Sequence, residues 1–112
     1  MNVLFNRRFD ERFSSIADHV NEEFGSAAAL KFKTSILRSC HLVGLFPNMG
    51  RVLFDSERGE YSDFRVMISG FHVIIYFVGD GYVEIMSIMD TRTEELSKLR
   101  EIVLGSEQDV EM

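Results

Sequence analysis

The sequence has no tryptophan, one proline (Pro47) and one cysteine (Cys40) among its 112 residues. A lone cysteine excludes an intramolecular disulfide and a multi-cysteine metal site, and it suits a reducing cytoplasm. Long apolar runs are missing as well. The longest, residues 73–78, falls far short of the roughly 20 residues a helix needs to cross a bilayer. The apolar opening, residues 1–5, is too short to be the core of a signal peptide. A cytoplasmic protein with no membrane segment is therefore expected. There is no internal repeat and no low-complexity stretch. A phosphate-cradling Gly-rich loop, HExxH, GxSxG and CxxC are all absent, so neither a cofactor nor a metal is expected.

What is present is a core. The chain is 46% hydrophobic, with ten Phe and six Met, which excludes a disordered composition. At this length folding buries roughly two-thirds of the unfolded chain's surface, enough for one domain, placed at residues 1–105. The acidic segment 106–112 is expected to be a disordered tail. The net charge of −6 is unevenly spread. Residues 1–51 carry seven Lys/Arg against five Asp/Glu, and residues 52–112 carry five against thirteen. Such acidity argues against a nonspecific grip on nucleic acid, yet leaves room for a local basic surface on the first half.

The hydrophobic pattern changes period once. Residues 1–5 fit a short edge strand. From Asn6, a suitable helix cap, Phe9, Phe13, Ile16, Ala17, Val20 and Phe24 recur every three or four positions and predict an amphipathic helix. Arg7 and Glu11 stand four apart on its polar face. Gly25-Ser26 ends that helix and caps the next, whose stripe is Ala29, Phe32, Ile36, Cys40 and Val43. So short a connection predicts an antiparallel helical hairpin.

Residues 46–51, Phe-Pro-Asn-Met-Gly-Arg, break the helix, and thereafter the period is two. Strands are expected over 51–55, 63–68, 71–78 and 82–89. Between them lie a polar loop over 56–62, a tight turn at Ser69-Gly70 and a turn at Gly79-Asp80-Gly81. Phe64, Val66 and Ile68 should share one face. Thr91 and Glu94 form a capping box ahead of a short helix carrying Leu96, Leu99, Ile102 and Val103 and ending at Gly105. The expected architecture is α+β: an N-terminal helical hairpin packed on a four- to five-stranded, mainly antiparallel sheet, with a short C-terminal helix. The sheet face away from the hairpin should be a shallow groove.

An ordered set of residues in this plan resembles the RelE/ParE superfamily of toxins from type II toxin–antitoxin systems. The set comprises the Pro47-x-x-Gly50-Arg51 turn after a helical hairpin, Arg65 in the next strand, the Ile74-Ile75-Tyr76 strand, a glycine turn, and the strand from Val83 to Ile88. The likeness extends over about residues 3 to 104 and leans toward ParE. It implies a plasmid-stabilisation toxin that binds and poisons DNA gyrase and is silenced by a cognate antitoxin. RelE-like members instead cut messenger RNA in the ribosome, and a non-toxic interaction module of the same fold is a third reading. No sequence-specific DNA binding is implied, and the sequence is compatible with either a homodimer or a heterotetramer with the antitoxin.

Fold alone does not choose among these activities; residues must. Cutting RNA through its 2′-hydroxyl needs a base, an acid and cations for the charged phosphorane. The nuclease reading would rest on Arg65, Arg92 and His72. Arg65 either binds phosphate or makes a structural ion pair with a carboxylate. Arg92 either adds a cation or pairs with Asp90 or Glu95. His72 either acts as a base or is a hydrogen-bonded residue on a half-buried face. Asp90 stands where many family members place a histidine, and an aspartate with an ordinary pKa of about 3.9 is a poor acid beside a phosphodiester. The catalytic inventory is thin, so a binding role is favoured. Lys31, Arg38, Arg51, Arg65, Asp90 and Arg92 are the candidate contacts for a target or partner. Lys31 and Arg38, seven apart on one side of the second helix, are placed to steer an acidic segment, in a mode that combines a helix in a groove with an added edge strand. His19, His41 and Cys40 have no partner spacing and are expected to be structural or exposed.

Overall fold

The computed structural model describes residues 1–55 and 60–91. A short strand, β1 (Asn2–Phe5), leads into two helices, α1 (Arg7–Phe24) and α2 (Ser26–Leu45). Four strands follow: β2 (Arg51–Asp55), β3 (Glu60–Ser69), β4 (His72–Val78) and β5 (Tyr82–Asp90). The sheet order is β1-β5-β4-β3-β2. The last four strands form an antiparallel meander, while β1 pairs parallel to β5, with Asn2 opposite Tyr82 and Phe5 opposite Ile85. The α+β hairpin-on-sheet architecture is thus as expected, and the expected C-terminal helix lies outside the described residues.

Local chemistry accounts for the helix ends. The Asn6 side chain accepts a hydrogen bond from the Arg8 amide at 2.8 Å, satisfying one of the orphan donors of the first turn. Its amide nitrogen donates to Glu84 Oε2 at 2.9 Å and ties the helix start to β5. Arg7 and Glu11 pair at 3.0 Å. Gly25, at φ 92°, is both the end of α1 and the cap of α2. That backbone conformation excludes residues with a Cβ at little cost, and it reverses the chain in one residue. Ser26, expected to share the capping, is the first residue of α2, and no side chain caps this helix.

Both helices lie on one sheet face. Phe9 from α1 and Ile36, Cys40 and Val43 from α2 form one buried cluster with Ile74, Tyr76, Val83, Ile85 and Ile88, and Ala17 and Ala29 are buried as well. Each large apolar side chain removed from water contributes roughly 1.5–3 kcal/mol. Successive ring contacts link Phe5, Phe9, Phe13, Phe32 and His72, with centroids 4.9–5.6 Å apart, and so stitch β1 to α1, α1 to α2, and α2 to β4. Phe24 closes the expected stripe of α1 in sequence but is exposed.

Strand boundaries depart from expectation at three places. β3 begins at Glu60, so residues 60–62 are strand rather than loop, and it runs through Ser69, which pairs with His72. The hairpin loop is therefore Gly70-Phe71. β5 extends to Asp90. A register shift between Ile75 and Tyr76 places Tyr76 opposite Ile85 and Ile74 opposite Ile88. This bulge sends two residues three apart, Ile85 and Ile88, to the same buried face, which strict alternation forbids.

Candidate functional site

The break between α2 and β2 is held from inside the fold. The Tyr76 hydroxyl donates to the Pro47 carbonyl at 2.8 Å and accepts the Gly50 N–H at 2.8 Å. Arg65, opposite Tyr76 in the β3–β4 register, donates from Nη1 to the carbonyls of Gly50 at 2.8 Å and Asn48 at 3.3 Å. Gly50 is required by this approach, since a Cβ there would lie 2.5 Å from the Tyr76 hydroxyl. Burial raises the Tyr76 pKa, and the Gly50 hydrogen bond and the Arg65 charge act against that shift. The turn is thus clamped by a neutral phenol and a guanidinium. Phe46 and Met49 project outward from it, both exposed.

Arg65 thus stands beside the turn, with Nη1 on two backbone carbonyls. His72 and Asp90 face each other as a cross-strand pair, with Nε2 and Oδ2 3.9 Å apart, and the Phe32 ring centroid lies 4.9 Å from that of His72. His72 is four residues from Tyr76 along β4, which at about 3.3 Å per residue sets it some 13 Å from the Arg65 pairing position. Arg65 and His72 consequently do not converge. Arg92 lies outside the described residues. Among the described residues no group of three or more His, Cys, Asp or Glu is placed to hold a metal ion.

The remaining candidates are placed outside the core. Lys31, Arg38 and Arg51 are exposed, as are His19 and His41. Cys40 is fully buried, and burial pushes its thiol up to about 12. On the sheet face opposite the helices, Phe64, Ile75, Met86, Ser87 and Met89, with Asn6 and Arg8, line a groove of about 460 Å³. Among the described residues no helix is long and apolar enough to cross a membrane.

Sequence reasoning placed Tyr76 in a central strand but missed what its hydroxyl holds. The signal was present in the Pro47-x-x-Gly50 spacing, because a glycine in a turn beside a strand tyrosine marks a close approach.

A paired-helix layer on a meander, with the N-terminal strand returning parallel to the last one, defines a small α+β fold. The same fold is found in a chain of the solved "Chromosomal ParDE TA system from P. aeruginosa", at a TM-score of 0.68 and 18% identity, covering 82% of this chain and 97% of that one. The family follows from the sequence match: the model described as "ParE toxin of type II toxin-antitoxin system, parDE" matches residues 3–95, and the chain belongs to that family. Among curated protein sequences none matches it.

Proposed function

We propose that this ParE-family chain is a toxin that acts by binding, that its target is DNA gyrase, and that a cognate antitoxin neutralises it. The observation that carries the reading is the commitment of Arg65. A nuclease on this sheet would need that guanidinium for the phosphorane, whereas here it hydrogen-bonds the carbonyls of Asn48 and Gly50. Asp90 facing His72 supports the same reading, since a carboxylate beside the only strand histidine repels a scissile phosphate. The membership of the P. aeruginosa neighbour in a ParDE pair supports an antitoxin partner. The target surface is drawn from the exposed residues Arg51, Lys31 and Arg38 and from the apolar residues Phe46 and Met49, which the clamped turn presents without further ordering cost.

Induced expression tests this. Gyrase poisoning gives DNA breaks and filamentous cells with translation continuing, and purified gyrase accumulates cleaved DNA when the chain is added. Rapid translation arrest with cut messages would replace the reading by the ribosomal nuclease. Normal growth would leave a non-toxic interaction module.

A further inference from the structure

The helices pack on one face of the sheet, where Ile74, Tyr76, Ile85 and Ile88 join the core. Side chains alternate along a strand, so Ile75, and Ser87 opposite it in the β4–β5 register, stand on the other face. There they line the groove of about 460 Å³, with Phe64, Met86 and Met89 as further apolar walls and Arg8 from the first turn of α1. That volume falls within the roughly 300–1,000 Å³ of small-ligand sites, which are mostly apolar with a few placed polar groups.

Ser87 is out of character with this wall. It is 4% exposed, and its Oγ is buried with no hydrogen-bond partner among the described residues. Strand positions favour β-branched and aromatic residues over serine, and the side chains around it in the groove are apolar. A buried hydroxyl left unmet costs the fold stability and calls for a polar group brought in from outside.

The charge at the site is Arg8. Arg7 pairs with Glu11 at 3.0 Å, whereas Arg8 is exposed and makes no ion pair among the described residues. The Asn6 N–H donates to the Ile85 carbonyl at 2.9 Å, which sets the start of α1 beside β5 two residues short of Ser87, about 6.6 Å along the strand. A long, flexible arginine stem bridges such a gap while its head stays wet. Of the carboxylates of β5, Glu84 lies three residues from Ser87, about 10 Å along the strand, and is engaged by the Asn6 amide. Asp90 faces His72 on the helix side.

We propose that this groove binds a small amphipathic carboxylate. Its head accepts hydrogen bonds from the Ser87 hydroxyl and the Arg8 guanidinium, and its aliphatic tail lies over Phe64, Ile75, Met86 and Met89. The two methionines are flexible and polarisable and fit tails of differing shape. A cationic head would meet Arg8 with like charge, and a bare hydrocarbon would leave the Ser87 hydroxyl unmet; a carboxylate answers both. The site stands independently of the toxin reading, and none of its readouts involves toxicity.

The test titrates the full isotope-labelled chain at neutral pH with decanoate, ionised there, and in parallel with decanol and decylamine, all below the concentration at which they form micelles. Decanoate should bind saturably at one site, with amide shifts centred on residues 86–89, Ile75 and the first turn of α1. Decanol and decylamine should each bind at least about tenfold more weakly. Arg8→Gln should weaken decanoate about tenfold and leave decanol unchanged. Ser87→Ala should weaken both by about fivefold, and its melting temperature should not fall, because the hydroxyl it removes has no partner to lose. No saturable shift, or equal binding of decanoate and decanol, would overturn the proposal. Tighter binding of decylamine would overturn it in favour of a cation site at Glu84. A Ser87→Ala chain that binds decanoate like the parent, or melts lower than it, would remove the hydroxyl from the site. Overhauser contacts to Met86 from chain residues beyond 91 would give the groove to the chain's own end, and self-association reversed by decanoate would give it to a second copy.

Discussion

The Tyr76 hydroxyl and the Gly50 amide nitrogen lie 2.8 Å apart, across 26 residues of sequence. That contact, with the one to Pro47, decides where the helical layer hands over to the sheet. In Tyr76→Phe the Gly50 N–H and the Pro47 carbonyl lose their partner. Leaving such groups unpaired costs about 1–3 kcal/mol, or about 4–8 °C in melting temperature for each kcal/mol in a domain of this size. Gly50→Ala should be at least as damaging, because its Cβ meets the same hydroxyl. Thermal unfolding by circular dichroism measures both, and a Gly50→Ala protein as stable as the parent would refute the clamp.

Arg65 is assigned a structural task, so its loss should read first as instability. Arg65→Ala should lower stability by about 1–2 kcal/mol, a discounted value for a partly exposed charged donor. Growth arrest on induction at low temperature, where the variant is folded, should persist. Loss of toxicity by a demonstrably folded Arg65→Ala protein would return this residue to the list of target-contacting or catalytic groups.

Asn6 serves two elements at once, capping α1 and reaching Glu84 on β5. Asn6→Ala should cost about 1 kcal/mol for the cap and more if the Glu84 contact contributes. Asn6→Asp keeps the cap but sets a second carboxylate beside Glu84. The two substitutions separate the contributions: if Asp restores full stability in denaturant titration, the Glu84 contact adds nothing.

Alkaline pH should unfold the protein in a characteristic window. The Cys40 thiol titrates at about 12 in the fold against an ordinary 9.0, and Tyr76 is also shifted upward. A group whose folded pKa is raised contributes its full stabilisation below its unfolded pKa and loses it as pH climbs through the folded value. Stability should hold up to about pH 9 and decline toward pH 12. Cys40→Ala should flatten the lower part of that decline while costing some packing energy. The buried thiol should resist alkylation until the protein unfolds, which a mass-resolved labelling experiment in rising denaturant reads directly.

Much of this molecule was legible from local chemistry. The switch of hydrophobic period after Pro47, the Asn6 cap and the reversal at Gly25 are encoded within a few residues of where they act, so the helical hairpin and the meander follow from them. The family-like order of the Pro47 turn, Arg65 and Tyr76 is likewise written along the chain. What no linear pattern could set is which distant groups meet. The parallel pairing of β1 with β5, the bulge that turns both Ile85 and Ile88 inward, and the hydrogen bonds of Arg65 to the carbonyls of Asn48 and Gly50 depend on contacts between segments far apart in sequence. Periodicity records which face of its own element a residue occupies. Only packing decides what stands opposite that face, and for Arg65 it sets the carbonyls of Asn48 and Gly50 there.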